Sequence, residues 1–378
     1  MPMKIAIVTP NYPPNTRGGG ELSAQLLAEQ FVDQTEHSVV VHSFDGRSQE
    51  LINGVHVVRH RDLPSIPELS SIIAIKSLWD LIEDYDIIHG YNMELHPAVG
   101  FLSKHKSIAS VAHLNSYTFV DKNSIGIDMP KQEMIYNNYV RPSVGRVSKH
   151  YLSQISTLIA LSNCIKGIYD SEPGIDTQIT QITNMIDPSF TPESVQYTIS
   201  GNPQLLYVGS LKKQKGVEHL IRSIPEIKQQ VRLTVVGDGP ERERLRQISR
   251  QKGVDEQIEF VGQVPHSRVD EYYEDSDIFV HPGTWPEPLN RTLLEAIQHG
   301  LAVVVTRRGG PPEIIQDSNL LADPGNPAEL ANAIKYAIEN RKEAGEMHRQ
   351  HILKNHHPST VIAKIEQLYR RLTNERPP

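Results

Sequence analysis

The chain has 378 residues, a formal net charge of −7 and one cysteine, with acidic and basic residues interspersed. This length favours two domains, while the single Cys164 excludes an internal disulfide and the lack of a long basic block argues against nucleic acid as the main partner. The N-terminal apolar run is too short for a signal peptide or a membrane span. We therefore expect a cytoplasmic protein, attached at most to the inner face of a membrane.

The first half alternates short strands with helical patterns. One such helix is "ELSAQLLAEQFVDQ" (21–34), in which Leu22, Leu26, Leu27 and Phe31 share one face. Short runs rich in Val and Ile are typical of strands buried on both faces of a parallel sheet, and they occur at 4–8, 38–43, 86–90, 108–113 and 157–162. This pattern predicts a doubly wound α/β domain.

A second series of strands follows a polar, proline-containing stretch at 185–203, which is typical of a linker. Strands are expected at 204–210, 232–240, 258–264, 277–283 and 302–306. The predicted fold is α/β, with two facing Rossmann-like doubly wound domains that bind ligands beyond the carboxyl ends of their strands. The predicted boundaries are 1–187 for the first domain, 188–203 for the linker, 204–357 for the second domain and 358–378 for a C-terminal helical segment.

Two loops that follow strands resemble anion-binding loops. The three glycines at 18–20 open a helix, so their N–H groups could approach a phosphate, although a tight turn that requires glycine explains them equally well. In the second half, Lys212, Lys213 and Lys215 precede a helix, where a cation would add attraction for a phosphate. For any one of these lysines, a solvated surface position is the simpler explanation.

The segment "HPGTWPEPLNRTLLEAIQHG" (281–300) contains two glutamates eight positions apart. Prolines flank Glu287, and Glu295 lies about two turns into a helical pattern that ends at Gly300. Carboxylates can accept hydrogen bonds from the paired hydroxyls of a sugar or a ribose, but an exposed helix glutamate is also common. The N–H groups at the start of this helix could face a diphosphate or sugar oxygens; they belong to Leu289, Asn290, Arg291 and Thr292.

Several motifs in a fixed order resemble those of the retaining glycosyltransferases of family 4, which have the GT-B fold of two Rossmann-like domains. The second half has "YVGSLKKQKG", "VVGDGP", "HPGTWPEPLNRTLLEA" with its E-x7-E pattern, and "RRGGPPEII". The first half matches less strongly, through "RGGGE", "IIHGYN", "VAHLNS", "IALSNCIK" and "ITNMID". The resemblance implies a transferase that uses a nucleoside-diphosphate sugar, retains the anomeric configuration and requires neither a metal nor a cofactor.

The resemblance also implies roles for individual residues. Glu287 would contact the hydroxyls of the donor sugar, Glu295 the ribose hydroxyls, and Lys215 the diphosphate. Gly18 and Gly19 would bind the same diphosphate from the first domain.

His113, at the end of a predicted strand, corresponds to the family histidine near the sugar and the reacting centre. Without the resemblance, an ordinary loop histidine would be the simpler reading. In the family, a C-terminal helix returns to pack on the first domain, and the apolar face of 359–372 would allow this.

The chain departs from the family pattern at two places. Ser210 stands where the family commonly has an arginine that binds the diphosphate. Lys212 or Lys213 could supply the positive charge of that arginine but not its bidentate hydrogen bonding. Leu289 and Asn290 stand where the family commonly has Phe-Gly. A side chain in place of the glycine would restrict how closely the backbone can approach the sugar.

Other functions remain open at this point: a nucleotide-sugar epimerase, a phosphorylase, or a catalytically silent relative that binds nucleotide sugar. The base, the sugar and the acceptor, which could be a saccharide, a glycolipid or a small molecule, are not determined. The histidines near the C-terminus lack a recurrent ligand spacing, so we do not expect a metal site.

Basic residues with interleaved aromatic and apolar residues occur at 101–107 and 137–154. Such a face could bind anionic lipid weakly. Solvated helix faces are the favoured interpretation, and we expect at most a salt-sensitive membrane attachment.

Overall fold

The computed structural model describes residues 1–15, 18–64, 67–122, 124–127, 141–195 and 201–374, which fall into two compact units. Unit 1 comprises Met1–Met185 together with the segment that begins at Pro358, and unit 2 comprises Ile186–His357. Each unit contains one mainly parallel sheet whose strands are connected by helices. The predicted α/β class with two doubly wound domains is confirmed.

The sheet of unit 1 has eight strands in the order β3-β4-β2-β1-β5-β6-β7-β8, and every pairing is parallel except that of β3 with β4. Its strands are β1 Lys4–Thr9, β2 Ser38–Ser43, β3 Gln49–Ile52, β4 Val55–Arg59, β5 Ile87–Gly90, β6 Ala109–Leu114, β7 Thr157–Ala160 and β8 Ile179–Gln181. The helices described in this unit are α1 Gly19–Gln34, α2 Pro67–Leu78, α3 His96–Lys106, α4 Arg141–Leu152, α5 Asn163–Asp170 and, at the C-terminus, α12 Pro358–Asn374.

The sheet of unit 2 has six parallel strands in the order β11-β10-β9-β12-β13-β14. Its strands are β9 Gln204–Val208, β10 Arg232–Val236, β11 Ile258–Gly262, β12 Ile278–His281, β13 Ala302–Thr306 and β14 Leu321–Ala322. Its helices are α6 Val217–Ser223, α7 Arg242–Lys252, α8 Asp270–Glu274, α9 Arg291–Gln298, α10 Pro327–Glu339 and α11 Arg341–Asn355.

Helix α12 belongs to the core of unit 1. Its apolar face, which includes Val361, Ile365 and Leu368, is buried against side chains of α1 and the central strands. The ring of Tyr369 stacks on Phe31 of α1, with ring centres 5.5 Å apart. Burying side chains of this size stabilises a fold by roughly 1.5 to 3 kcal/mol each, so the helix is an integral part of the unit.

In both units the loops that carry the predicted site residues follow the carboxyl ends of parallel strands. In unit 1, β1 precedes the glycine loop at 18–20, and His113 lies next to the last residue of β6. In unit 2, β9 precedes the lysine loop and β12 precedes the loop of Glu287. Because the strands are parallel, the loops of each unit lie at one edge of its sheet.

Candidate functional site

A lysine and a glutamate from adjacent loops form an ion pair at the carboxyl edge of the sheet of unit 2. Strands β9 and β12, which precede the loops of Lys215 and Glu287, are hydrogen-bonded neighbours. The Lys215 ammonium lies 2.5 Å from Glu287 Oε2, and the indole N–H of Trp285 donates to the same oxygen at 2.7 Å. The ammonium also lies 5.1 Å from the centre of the Trp285 ring. The fold thus joins two residues that are 72 positions apart.

Two glycines permit the close approach of these loops. Gly216 has a φ of 72°, and a Cβ at this position would lie 1.9 Å from the carbonyl oxygen of Pro282. Gly309 has a φ of 81°, and a Cβ there would lie 2.4 Å from both the nitrogen and the oxygen of the Glu287 backbone. The N–H of Gly310 donates to the Glu287 carbonyl at 2.7 Å. A side chain at either glycine would displace the backbone that positions the ion pair.

Glu287 is buried but ionised. The residue is 9% exposed, and burial alone would raise the pKa of its carboxyl group. The charge of Lys215, the nearby His281 and the hydrogen bonds from Lys215 and Trp285 outweigh burial and hold this pKa below its ordinary value. Burial lowers the pKa of His281 to about 4, so this imidazole is neutral near pH 7. The site therefore contains a pre-oriented carboxylate and ammonium in a poorly hydrated environment.

Glu295 lies on α9 and is 3% exposed. The hydroxyl of Tyr273 donates to Oε2 at 3.0 Å, His266 Nε2 lies 3.1 Å from Oε1, and Arg291 Nε lies 3.6 Å from Oε1. Burial would raise the pKa of Glu295, but the His266 hydrogen bond and the Arg291 charge lower it below its ordinary value. The ring of Phe190 stacks on His266 at 4.5 Å. Both oxygens of this carboxylate thus already have protein partners.

The residues at the start of α9 are buried or half-buried. Leu289 is 6% exposed, so its side chain lies in the interior of the unit. Asn290 precedes the first helical residue but does not cap the helix; its amide nitrogen lies 3.2 Å from His281 Nδ1 and donates to Thr292 Oγ1 at 3.1 Å. The amide oxygen of Asn290 is buried, and no hydrogen-bond partner for it is recorded in the described structure. The expected effect of Leu289 and Asn290 on sugar approach stays a prediction.

The three lysines of the loop after β9 differ in their exposure to solvent. Lys212 and Lys213 are exposed, whereas Lys215 is half-buried beside Glu287. The Ser210 carbonyl accepts a hydrogen bond from the hydroxyl of Tyr207 at 3.0 Å, which fixes the backbone just after β9. Replacement of the family arginine by Lys212 or Lys213 therefore also stays a prediction.

His113 is buried at the carboxyl edge of the sheet of unit 1. It is 3% exposed, and its Nδ1 lies 2.7 Å from Nε2 of His89 on the neighbouring strand. Nδ1 of His89 is in turn hydrogen-bonded to the hydroxyl of Tyr369 on α12. Burial, with a further contribution from nearby His96, lowers the pKa of His113 to about 3. The imidazole is therefore neutral at any pH at which an ordinary enzyme works.

The glycine loop precedes α1. Gly18 has a φ of 180°, an extended conformation that any residue adopts, so backbone angles do not explain this glycine. Among the described residues, the nearest neighbour of a Cβ at Gly18 would be Glu21 Oε2, at 3.9 Å, so none of them crowds this position. This geometry favours a role in close approach to a ligand over the tight-turn alternative for Gly18. Gly19 is the first residue of α1 and is exposed.

A polar network beside this loop was not anticipated from the sequence. The side-chain amide of Asn92, after β5, donates to Glu21 Oε1 at 3.3 Å and to Thr9 Oγ1 at 3.4 Å. The amide of Asn115, after β6, donates to Asn92 Oδ1 at 3.1 Å. These side chains link three segments at the carboxyl edge of the sheet, and Asn115 follows His113 by two positions.

The basic segments of unit 1 lie on α3 and α4. Lys106 lies 4.0 Å above the ring of Trp79 and pairs with Glu83, while Val147 on α4 is 55% exposed. Tyr139 and Val140, which belong to the same predicted face, lie outside the described residues. None of the helices in the described ranges is long and apolar enough to cross a membrane.

The C-terminal histidines are engaged in protein contacts. Nε2 of His348 accepts the N–H of Gln316 at 3.3 Å, and His351 Nδ1 lies 2.7 Å from the side-chain nitrogen of Gln316. Within the part of the chain that the structure describes, no group of three or more His, Cys, Asp or Glu side chains has a geometry suited to a metal ion.

The sequence interpretation missed four side chains that contact the predicted site residues, and a fifth, Tyr369, that contacts one of these four. They are Trp285 beside Glu287, His266 and Tyr273 on Glu295, and His89 with Tyr369 behind His113. Trp285 and His89 lie within the quoted motifs "WPEP" and "IIHGYN", which was the available signal for them.

Family models match most of the chain. The model described as glycosyltransferase family 4 matches residues 17–190, and the model described as glycosyl transferases group 1 matches residues 191–353. An uncharacterized glycosyltransferase of Methanocaldococcus jannaschii is 30% identical over 347 residues, which are 87% of this chain and 87% of that protein.

Solved structures share the fold. Sucrose-phosphate synthase from Thermosynechococcus elongatus has a TM-score of 0.81 and 18% identity, with 99% of this chain and 100% of that chain covered. Anabaena HepE in complex with UDP-glucose has a TM-score of 0.74 and 20% identity, with 98% of this chain and 100% of that chain covered.

Proposed function

The chain belongs to the family 4 glycosyltransferases of the GT-B fold, and on this basis we propose that it transfers a hexose-type sugar from a nucleoside-diphosphate sugar to an acceptor hydroxyl. The transfer retains the anomeric configuration and needs no metal ion. The acceptor is a saccharide, a glycolipid or a small molecule. The observation that carries the proposal is the ion pair of Lys215 and Glu287, held by Trp285 at the strand edge where α/β sheets bind ligands.

Lys215 is the proposed cation for the donor diphosphate. Its ammonium is half-buried, so water screens its charge less than that of an exposed lysine. The start of α9, in the same unit, adds the partial positive charge of a helix N-terminus. As the glycosidic bond breaks, negative charge develops on the departing diphosphate, and these groups stabilise it without a metal. For unit 1, the N–H groups of Gly18 and Gly19 stay a separate proposal for phosphate binding.

Glu287 is the proposed anchor of the donor sugar. One of its oxygens is bonded to Lys215 and Trp285, which fixes the orientation of the carboxylate. Because the pKa of this group is held low, the carboxylate accepts hydrogen bonds from sugar hydroxyls rather than donating a proton. Glu287 thereby holds the anomeric carbon beside the diphosphate that Lys215 binds.

Glu295 is the proposed ligand of the ribose hydroxyls. Since Tyr273 and His266 already occupy its two oxygens, ribose binding requires one of them to share or yield its position. His266 is the more movable partner because its side chain is 32% exposed. We therefore expect the His266 ring to shift when the nucleotide binds.

His113 is the proposed contact near the reacting centre. Its neutral imidazole suits hydrogen bonding to the sugar or the acceptor but does not supply a positive charge. In the mechanism usually considered for retaining transferases, the departing diphosphate takes the acceptor proton on the same face of the sugar. The protein then acts mainly by orientation and charge stabilisation.

A two-stage experiment tests the proposal. Thermal shifts are measured with UDP, GDP, ADP and their common hexose conjugates, and nucleotide release is then assayed with the best donor and a panel of sugar and glycolipid acceptors. The expected result is stabilisation by one nucleotide family and acceptor-dependent nucleotide release, both weakened in Lys215→Ala.

Other outcomes identify the alternatives. Conversion of the sugar without an acceptor indicates an epimerase, and turnover that depends on inorganic phosphate indicates a phosphorylase. Donor binding without release for any acceptor indicates a silent relative. Any of these three results would overturn the proposed transferase reaction.

A further inference from the structure

The side chains of His113, His89 and Tyr369 form a hydrogen-bonded row through the apolar interior of unit 1. His113 Nδ1 is paired with His89 Nε2 at 2.7 Å, and His89 Nδ1 is paired with the Tyr369 hydroxyl. The rings of the two histidines are stacked at 4.8 Å, and both His89 and Tyr369 are fully buried. Two strands and the C-terminal helix thus contribute one member each.

The parallel sheet explains why these residues meet. His89 on β5 is opposite Val111 on β6, and His113 follows Val111 by two positions, so all three project from one face of the sheet. Helix α12 packs against the same core and carries Tyr369 to the far end of the pair.

The protonation state of Tyr369 determines where the protons lie in this row of three side chains. Burial raises the pKa of Tyr369 well above its ordinary value and lowers that of His89 well below its own, so both groups are neutral. The Tyr369 hydroxyl therefore keeps its hydrogen, and His89 is the one hydrogen-bond partner recorded for this hydroxyl in the described residues. If Tyr369 accepted rather than donated, its own hydrogen would lack a partner in the interior, which is unfavourable.

With Tyr369 as donor, each further proton position is determined. His89 Nδ1 accepts, so the proton of His89 is on Nε2 and is donated to His113 Nδ1. The single proton of His113 must then be on Nε2. Among the described residues no hydrogen-bond partner of this nitrogen is recorded, which leaves its N–H for a ligand.

We propose that Tyr369 and His89 are positioning residues that hold His113 in the Nε2–H tautomer, so that it presents a hydrogen-bond donor to the sugar or acceptor oxygen. The role of His113 at the reacting centre rests on the proposed function, whereas the tautomer depends only on unit 1. A donor at this position orients the sugar or acceptor oxygen by a hydrogen bond, while the negative charge of the reaction develops on the departing diphosphate. His113 therefore does not act as the base that removes the acceptor proton.

The test is nitrogen-15 NMR of the histidine side chains in the full chain, with His113 assigned by the loss of its signals in His113→Gln. The two-bond proton–nitrogen correlations distinguish the two neutral tautomers. The wild-type protein is expected to show protonated Nε2 and unprotonated Nδ1 at His113. A wild-type spectrum with protonated Nδ1 overturns the proposal, whether or not any variant folds.

Tyr369→Phe removes the proton donor and little else. It is expected to populate the other His113 tautomer and to lower kcat roughly tenfold, with the donor KM changed less than about twofold. Tyr169→Phe is the matched control: Tyr169 is another fully buried tyrosine of unit 1, and its hydroxyl donates to the Ser116 carbonyl at 2.8 Å. This control should retain the His113 spectrum and kcat.

The remaining outcomes separate the two proposals. An unchanged His113 spectrum in Tyr369→Phe shows that the tyrosine does not set the tautomer, and an altered spectrum with unchanged kcat shows that the tautomer does not serve transfer; either result overturns the proposal. If the wild-type protein transfers no sugar from any donor, the proposed function fails while the spectrum still reports the tautomer.

Discussion

Removing the ammonium of Lys215 should destabilise unit 2 as well as impair transfer. Lys215→Ala leaves the Glu287 carboxylate in a site where its side chain is 11% exposed and where the indole N–H of Trp285 still donates to it. Breaking a buried ion pair by removing one partner costs about 3 to 5 kcal/mol, because the other charge stays desolvated. Because the Lys215 side chain is 17% exposed, water can partly replace it in the variant. We therefore expect the free energy of unfolding to fall by about 3 kcal/mol, the lower end of this range.

For a unit of this size, about 3 kcal/mol corresponds to a decrease in Tm of roughly 6 to 12 °C. Unfolding can be followed by the fluorescence of Trp285, one of two tryptophans in the chain, after replacement of Trp79 by Phe. Lys228→Ala, which removes an exposed lysine of the same unit, is the control and should change Tm by less than about 2 °C.

The destabilisation caused by Lys215→Ala should decrease as the pH falls. In the wild-type protein the pKa of Glu287 lies below its unfolded value of about 4.3, so the stability from this group is present above that pH and is lost as the pH falls through the folded pKa. In Lys215→Ala, burial dominates and raises the pKa of Glu287, so protonation relieves the penalty. The stability difference should therefore be largest near pH 7 and shrink as the pH falls, first through the raised pKa of Glu287 in the variant and then through its lowered pKa in the wild-type protein.

A double variant separates charge from packing. Lys215→Met with Glu287→Gln removes both charges, so it should recover most of the lost stability while transfer stays impaired. A Lys215→Ala penalty that is the same at pH 4 and pH 7, and that the double variant does not relieve, would refute the reasoning from the ion pair.

Three further outcomes can be measured. Glu295→Gln removes the proposed charged hydrogen bond to ribose, so it should weaken nucleotide binding, measured by calorimetry, roughly 10- to 100-fold. Glu287→Gln should lower kcat more than nucleotide affinity. If both variants were indistinguishable from wild type, the proposed site would be contradicted. Transfer should survive EDTA, because in the proposed site the ammonium of Lys215 takes the place of a metal ion. A complete loss of transfer that Mg²⁺ or Mn²⁺ restores would contradict a metal-free site. Co-sedimentation with anionic liposomes should be weak at an ionic strength of about 0.05 M and abolished at about 0.5 M; binding that persists at high salt would show a larger apolar contribution than we infer.

The sequence predicted the strands with continuous apolar runs well and missed strands that lack such a run. The predicted strands at 38–43 and 302–306 agree with β2 and β13 at both ends. The hairpin of β3 and β4 was missed, although its turn is Asn53-Gly54 with φ values of 47° and 82°, a strong hairpin signal. Its strands have exposed faces, so they lack the uninterrupted apolar pattern by which the others were found.

The site was predictable only where residues that act together also lie in recognisable motifs. Lys215 and Glu287 belong to two such motifs, and the structure joins them. His89 and Tyr369 are 280 positions apart, and nothing in the apolar pattern of α12 distinguishes Tyr369 from an ordinary core residue. Such contacts depend on the register of strands and the rotation of a helix, which local sequence does not specify.

Because α12 follows unit 2 along the chain, the order of synthesis differs from the order of assembly. The eight strands of unit 1 leave the ribosome first, but the apolar surface that α12 covers stays exposed until unit 2 has also been made. A nascent chain that stops before Pro358 would present this surface to chaperones and proteases. The same helix supplies Tyr369, so the contact between Tyr369 and His89 also forms only after unit 2 has been synthesised.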